Sequence, residues 1–192
     1  MRPDILDRAE ALGHRVFVNG IYNVNIIGVR SSSRIAGRYD DTLHVVFKDS
    51  QHNWVDLTFI ITTDAGLFYL ENPSKPVGTA ILVAGQYRGV YQIGLHRGQY
   101  EALVQRGGKV KVYRDNNRDS ILDHDEETQV EGYFGINIHR SGTTREATNV
   151  HRWSAGCQVF CNAEDFNIFM AICRKSSKLY GNSFTYTLIE DE

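Results

Sequence analysis

The 192-residue chain holds only three prolines, three cysteines, two tryptophans and two methionines. No stretch mixes Pro, Gly and Ser into a linker, and no internal repeat or low-complexity run interrupts it, so one domain over 1–192 is expected. No apolar run approaches the ~20 residues of a helical membrane span, so no transmembrane segment is expected. Charge of one sign is also missing. Lys and Arg number 21 against 23 for Asp and Glu, which excludes the broad basic field of non-specific nucleic-acid binding. Three cysteines, Cys157, Cys161 and Cys173, make neither an even disulfide framework nor a spaced zinc set, leaving at least one free thiol. The opening Met1-Arg2-Pro3-Asp4 lacks the apolar centre of a secretory signal, and the expectation is synthesis in the cytoplasm without a signal peptide.

What the chain does contain is an ordinary apolar complement, 42%, enough for a full core at this length. Ile5, Leu6, Ala9 and Leu12 recur at helical spacing before Gly13, predicting a short N-terminal helix. Runs rich in Val, Ile, Phe, Tyr and Thr follow at Arg15–Arg30, Thr42–Lys48, Trp54–Thr62, Leu67–Leu70, Thr79–Val83 and Gly89–Leu95. Turn residues such as Asn19-Gly20 and Asp64-Ala65-Gly66 separate them, and the first half reads as antiparallel β. Lys109–Tyr113 and Tyr133–Ile138 read as two more strands. Asn162 can cap a helix whose Phe166, Phe169, Met170 and Cys173 share one face, and Ser183–Ile189 closes the chain as a strand. The fold class is therefore mostly β (α+β), with short flanking helices. It divides into an N-terminal helix and β-rich half (1–74), a motif-bearing region (75–160) and a C-terminal helix and strand (161–192).

Between the two later strands lies an acidic loop, 115–126. Asp115, Asn117, Asp119, Asp123 and Glu126 occupy positions 1, 3, 5, 9 and 12 of the EF-hand calcium-loop pattern, and the Ile121 carbonyl occupies position 7. Ca²⁺ takes six to eight hard oxygen ligands, so a structural Ca²⁺ is the expected cofactor, with no organic one. Position 6, normally Gly, is Ser120, which must then adopt the turn geometry at a cost. The competing reading is a solvated acidic turn.

Two further segments carry nucleophilic chemistry. Gly135-Ile136-Asn137-Ile138-His139-Arg140-Ser141 ends an expected strand on a histidine, and Trp153-Ser154-Ala155-Gly156-Cys157-Gln158 presents a cysteine after small residues. A thiol becomes a strong nucleophile when an imidazole takes its proton. Small residues let the Gly156 and Cys157 amides approach a carbonyl oxygen as an oxyanion hole. His151 is a competing base, six residues before Cys157. Ser154 is either a substrate hydrogen-bonder or a turn residue, and Cys161 and Cys173 read as packing residues. Tyr87, Arg88 and Tyr91 could wall a peptide or glycan groove, with Arg88 or Arg140 reading a carboxylate through a forked contact; alternating aromatics also serve as core. Trp153, beside the cysteine, is expected to pack under the loop or to contact substrate.

His139 together with Ser154-Ala155-Gly156-Cys157, preceded by Lys75-Pro76-Val77-Gly78-Thr79, resembles the L,D-transpeptidase (YkuD-type) catalytic domain over residues 75–160. Ala155 stands where that family has His, and Gln158-Val159 replaces its Arg- or Asn-containing segment. The resemblance implies a β-sandwich or barrel and a Cys157–His139 pair oriented by a backbone carbonyl near Arg140. It also implies bacterial peptidoglycan stem peptides as partner. Three functions follow as expectations: a cysteine peptidase acting as an endolysin-like peptidoglycan hydrolase, a cross-linking or exchanging transpeptidase, or a noncatalytic wall-binding module. Without a signal, action on the cell wall after phage-induced release fits the first.

Overall fold

Val, Ile and aromatic residues dominate the strand-forming runs, and their alternation sets which side chains enter the core. The computed structural model describes residues 1–142 and 147–191. In order come α1 (Asp4–Ala11), β1 (Asn25–Arg30), β2 (Asp41–Lys48), β3 (Trp54–Thr62), α2 (Leu67–Glu71), β4 (Thr79–Leu82) and β5 (Gly85–His96). These are followed by β6 (Tyr100–Gln105), β7 (Val110–Asp115), a 3₁₀ turn (Glu126–Thr128), β8 (Val130–Gly132), β9 (Ile138–Arg140), β10 (Gln158–Phe160), α3 (Ala163–Tyr180) and β11 (Phe184–Glu190).

Eight strands close a barrel in the order β1-β11-β5-β6-β9-β10-β3-β2, and β4-β7-β8 form a separate three-stranded sheet. Closure runs through the parallel pairing of the first and last strands, Ile26 opposite Tyr186, so the barrel draws on all three portions of the chain. Inside it, Leu43, Val45, Ile61, Tyr91, Leu103, Ile138, Phe160 and Tyr186 are fully buried. The apolar face of α3 joins the same core through Phe166, Phe169, Met170 and Cys173, as its periodicity predicts. The Asn162 side chain accepts from the Glu164 N–H at 2.7 Å and caps this helix. Phe160, ringed by Phe59, Phe166 and Phe169 at 5.1–5.5 Å, anchors β10, and truncation to Ala costs about 3–5 kcal/mol. Cys161 and Cys173 are both buried, and Cys173 packs in the barrel core. No described helix is long and apolar enough to cross a membrane.

Several segments depart from the sequence reading. Leu67–Leu70 is not a strand but the single helical turn α2; four apolar residues carry no period long enough to separate helix from strand. Of Arg15–Arg30, only Asn25–Arg30 is strand. The Asn25 side chain bonds both the N–H and the carbonyl of Phe17, holding the preceding loop in place of a sheet partner. Of Tyr133–Ile138, only Ile138 is strand, as the first residue of β9. One oxygen, Gln105 Oε1, accepts from three successive N–H groups, those of Phe134, Gly135 and Ile136, at 2.9–3.1 Å. That nest gathers the backbone into a turn, with Gly135 at φ +71°, before β9 begins at Ile138. Strands β6, β8 and β10 lie outside the runs read as strands; β8 and β10 are only three residues long each.

Candidate functional site

Strands β9 and β10 run parallel, with Gln158 opposite Ile138 and Val159 opposite His139. Ile138 and Phe160 point into the barrel core, so alternation turns His139 and Val159, and Cys157 just before β10, to the outer face. His139 and Cys157 are thus diagonal neighbours on one face, roughly 8 Å apart at Cα from strand rise and strand spacing.

The imidazole of His139 is buried, 4% exposed. Its Nδ1 lies 2.8 Å from the Arg140 carbonyl. A carbonyl only accepts, so Nδ1 carries the proton and Nε2 keeps its lone pair. The same carbonyl accepts from the Tyr100 hydroxyl at 3.2 Å. His96 stacks on His139, and the Asn137 amide donates to His96 Nδ1 at 3.1 Å. Burial, with the charge of His96 next, lowers the His139 pKa to about 3, against the opposing pull of the Arg140 carbonyl.

The Cys157 thiol lies half-buried. It donates to the Gly135 carbonyl and accepts from the Asn137 N–H, both at 3.4 Å. Burial pushes its pKa up, partly offset by the Asn137 N–H and by Arg97. Thiol and imidazole are therefore both neutral at rest. Moving the proton from a thiol whose pKa is raised to an imidazole lowered to about 3 is uphill before the new charges attract each other. No resting ion pair forms, and the sulfur must turn away from Gly135 before His139 can take its proton.

The loop before the cysteine is fixed by Ser154, which is fully buried. Its hydroxyl donates to the Cys157 carbonyl at 2.8 Å and accepts from the Gly156 N–H at 3.1 Å. Ser154 is thus the turn residue of the two readings. The Gly156 amide is consumed in that turn, which removes it from the expected oxyanion pair. The Cys157 N–H has no acceptor among the described residues. Gly156 is required for another reason: at φ +113°, an added Cβ would lie 2.3 Å from the Ala80 carbonyl. Strand β4, which follows the Lys75–Thr79 segment, packs there against the cysteine loop.

Beside His139 opens a cleft of about 640 Å³ whose lining includes His96, Arg97, Tyr100, His139, Arg140 and Trp153, with Cys157 outside that lining. Arg152 and His151 lie along the same wall, and no acidic side chain lines it among the described residues. The Arg140 guanidinium stacks 4.3 Å over Tyr100 and donates to the Gly142 carbonyl at 2.6 Å. Trp153 is 46% exposed on the rim rather than packed under the loop. His151 is exposed at the cleft edge, edge-on to Phe68, and makes no hydrogen bond to Cys157 among the described residues.

Tyr87 and Arg88 do not belong to this site. The Tyr87 hydroxyl donates to the Val83 carbonyl at 2.6 Å and its ring packs on the core. Arg88 lines a different cavity with Phe17 and Tyr180. Tyr91 is wholly buried in the barrel. The helpers that sequence reasoning missed are His96, Arg97, Tyr100, Gln105 and Asn137. Only Arg97-Gly98 carried a local sign, a hairpin turn in which both residues have positive φ.

In the acidic loop, Asp115 is buried at the end of β7, and its Oδ2 accepts from the Asp123 N–H at 3.1 Å. Burial raises its pKa, and the charges of Asp123 and Asp119 add to the rise. The Asn117 amide donates to Asp119 at 2.9 Å and to Asp123 at 2.7 Å. The Ile121 N–H donates to Asp119 at 2.8 Å. Glu126 stands exposed on the 3₁₀ turn, whose N-cap is Asp125. The left-handed turn residue is Arg118, at φ +65°, and not Ser120. Among the described residues, no three His, Cys, Asp or Glu side chains converge closely enough to hold a metal ion.

Compared with protein-family models, with curated proteins and with solved structures, the chain matches none.

Proposed function

We propose that the chain is a Cys157-dependent acyl-transfer enzyme acting on peptidoglycan stem peptides, with hydrolysis as its reaction. The observation that carries this reading is the register of β9 against β10. It sets a thiol and a tautomer-fixed imidazole on one face, the imidazole on a cleft lined, among the described residues, by three arginines and no carboxylate. A peptide ending in or bearing carboxylates suits such a wall, because guanidinium forks bind carboxylates bidentately.

In the proposed sequence, substrate entry displaces the Cys157 thiol from the Gly135 carbonyl. His139 Nε2 then takes the thiol proton as sulfur attacks the peptide carbonyl carbon. The Cys157 N–H donates to the oxyanion. The protonated imidazole next gives its proton to the leaving amine, and the C–N bond breaks to leave a thioester. Water, deprotonated by His139, hydrolyses the thioester and restores the thiol. An amine in place of that water would give the L,D-transpeptidase outcome from the same residues.

The noncatalytic alternative, a wall-binding module on this fold, finds support in the neutral resting pair. Reaction of the protein with a β-lactam, read by intact mass and peptide mapping, separates the two. One adduct on Cys157, absent from Cys157→Ala, is the enzyme's outcome. A Cys157 as inert as Cys161 and Cys173 is the binder's.

A further inference from the structure

Three guanidinium groups, those of Arg97, Arg140 and Arg152, line the cleft beside His139. The ion pairs of arginine among the described residues all lie elsewhere, at Arg2, Arg8, Arg30 and Arg174. In a chain of formal net charge −2, that concentration of unpaired cations is local to the cleft. Two of the three are held by aromatic rings. The Arg140 guanidinium lies 4.3 Å over Tyr100, and that of Arg152 lies 3.9 Å over Phe68. Stacking covers one face of the plane and leaves the N–H edge open to an anion. Arg140 uses one nitrogen on the Gly142 carbonyl, whereas Arg152 donates to no acceptor among the described residues. Arg97, in the turn of the β5–β6 hairpin, adds charge without a ring to fix it.

The position of Arg152 is set from two sides. The Trp153 N–H donates to the Val150 carbonyl at 2.8 Å and closes a tight turn over 150–153. Within it His151 stands at φ +35°, left-handed backbone that a residue with a side chain adopts at a cost. On the other side is the start of α2. The Gly66 N–H donates to the Ser154 carbonyl at 2.9 Å, and Gly66 packs so closely on the His151 carbonyl that an added Cβ would overlap it. These contacts hold Phe68, two residues on, beneath Arg152. Arg140 is fixed separately, by β9 and Tyr100.

The two forks thus hang on different elements and rest on different rings. A single carboxylate engages one guanidinium bidentately, so two separate forks suit two carboxylates of one ligand. The cleft, at about 640 Å³, has the size of a pocket for a peptide segment rather than for a lone inorganic anion. We infer that Arg152, seated on Phe68, is a specificity-determining residue that reads a second carboxylate of the peptide whose first carboxylate lies on Arg140. This rests on the peptide reading of the cleft given above, and it narrows the substrate class to peptides that carry two carboxylates within the length of the cleft.

The test is calorimetric titration of the whole chain, as Cys157→Ala so that nothing turns over, with four forms of one synthetic tripeptide. The peptide carries a glutamyl side-chain carboxylate and a C-terminal carboxylate, with both free, either one capped as the carboxamide, or both capped. The di-acid should bind about tenfold tighter than either singly capped form. Arg152→Gln should lower di-acid affinity about tenfold and weaken one singly capped form while sparing the other, and Arg140→Gln should do the reverse. Phe68→Leu, which removes the ring and keeps the guanidinium, should weaken the same forms as Arg152→Gln by roughly threefold. Tm of the Arg152 and Arg140 variants should match that of the parent chain. Equal affinity for the di-acid and the singly capped forms would overturn the inference, as would an Arg152→Gln loss shared by all four forms. Displacement of the di-acid by equimolar inorganic phosphate would also overturn it, in favour of a general anion site. None of these readings depends on Cys157 chemistry. A di-acid preference in a chain whose Cys157 is inert to a β-lactam would keep this site and remove the proposed reaction, whereas a reactive Cys157 without the preference would remove this site alone.

Discussion

His96 lies flat against His139, ring centroids 4.1 Å apart and planes 25° apart. Two imidazoles in that arrangement cannot readily both be charged, so His96 helps keep its neighbour a free base. Because His139 titrates near 3, it remains unprotonated throughout the range from pH 4 to 8. Kcat/KM should therefore show no acid limb from His139 above pH 4. His96→Ala admits water and removes the neighbouring charge, and the limb should move up toward ~6.5. His96→Gln, which keeps the bulk and a hydrogen-bond acceptor for Asn137, should move it less. A pH profile identical to wild type in both variants would mean that His96 only fills space.

Gly156→Ala tests the cysteine turn. The added methyl would overlap the Ala80 carbonyl, on backbone that disfavours L side chains. A loss of about 2–4 kcal/mol in stability is expected, readable by urea denaturation. Cys157 alkylation should also change rate, since the sulfur can no longer rest between Gly135 and Asn137.

The Arg140 side chain should select substrates while its carbonyl orients His139. Arg140→Gln keeps the carbonyl and removes the guanidinium. KM for a peptide with a free carboxylate should rise roughly tenfold or more, the worth of one charge-assisted hydrogen bond, with kcat within about threefold. The same substitution should leave a carboxamide-capped peptide unaffected. Equal losses on both peptides would place Arg140 in structure only.

Much of the fold was legible in the sequence because it follows from period and capping. The α3 face at Phe166, Phe169, Met170 and Cys173 and the cap at Asn162 were read from spacing alone. So were Trp54–Thr62, and Thr42–Lys48 to within one residue. Of the site, Cys157 and His139 were legible as a pair of residue types, but not the register that sets them on one face. The Gln105 nest was not legible, since a side chain acting across 29–31 residues leaves no local pattern. Nor was the displacement of Tyr87 and Arg88 from the site. Strand alternation says that residues face opposite sides, not which side meets a cleft built by β9, the 149–153 loop and the β5–β6 hairpin.

A buried charge cluster away from the cleft governs the pH dependence of stability. Asp41, held by the Thr63 N–H and hydroxyl, has its pKa pushed up to about 7 by burial, then by Asp64, with Arg30 pulling it back. Its folded pKa exceeds the unfolded value, so its contribution is full below pH 3.8 and is lost as pH rises through 7. From pH 6 to pH 8 this loss is on the order of 1 kcal/mol. His139 works the other way, its depressed pKa costing stability below the unfolded value of 6.5. Asp41→Asn should therefore gain on wild type by on the order of 1 kcal/mol between pH 6 and pH 8, roughly a few °C in Tm. Parallel stability curves would show that Asp41 does not titrate there.

The proposed reaction is the opening of a cell-wall peptide bond by Cys157. The measurement closest to that claim is mass spectrometry of defined peptidoglycan fragments incubated with the purified protein, with Cys157→Ala in parallel and with Ca²⁺ present or chelated. The account predicts shortened or separated stem peptides that carry one added water and vanish with Cys157→Ala. Fragments left intact by wild type in both metal conditions, or products that persist in Cys157→Ala, would contradict it.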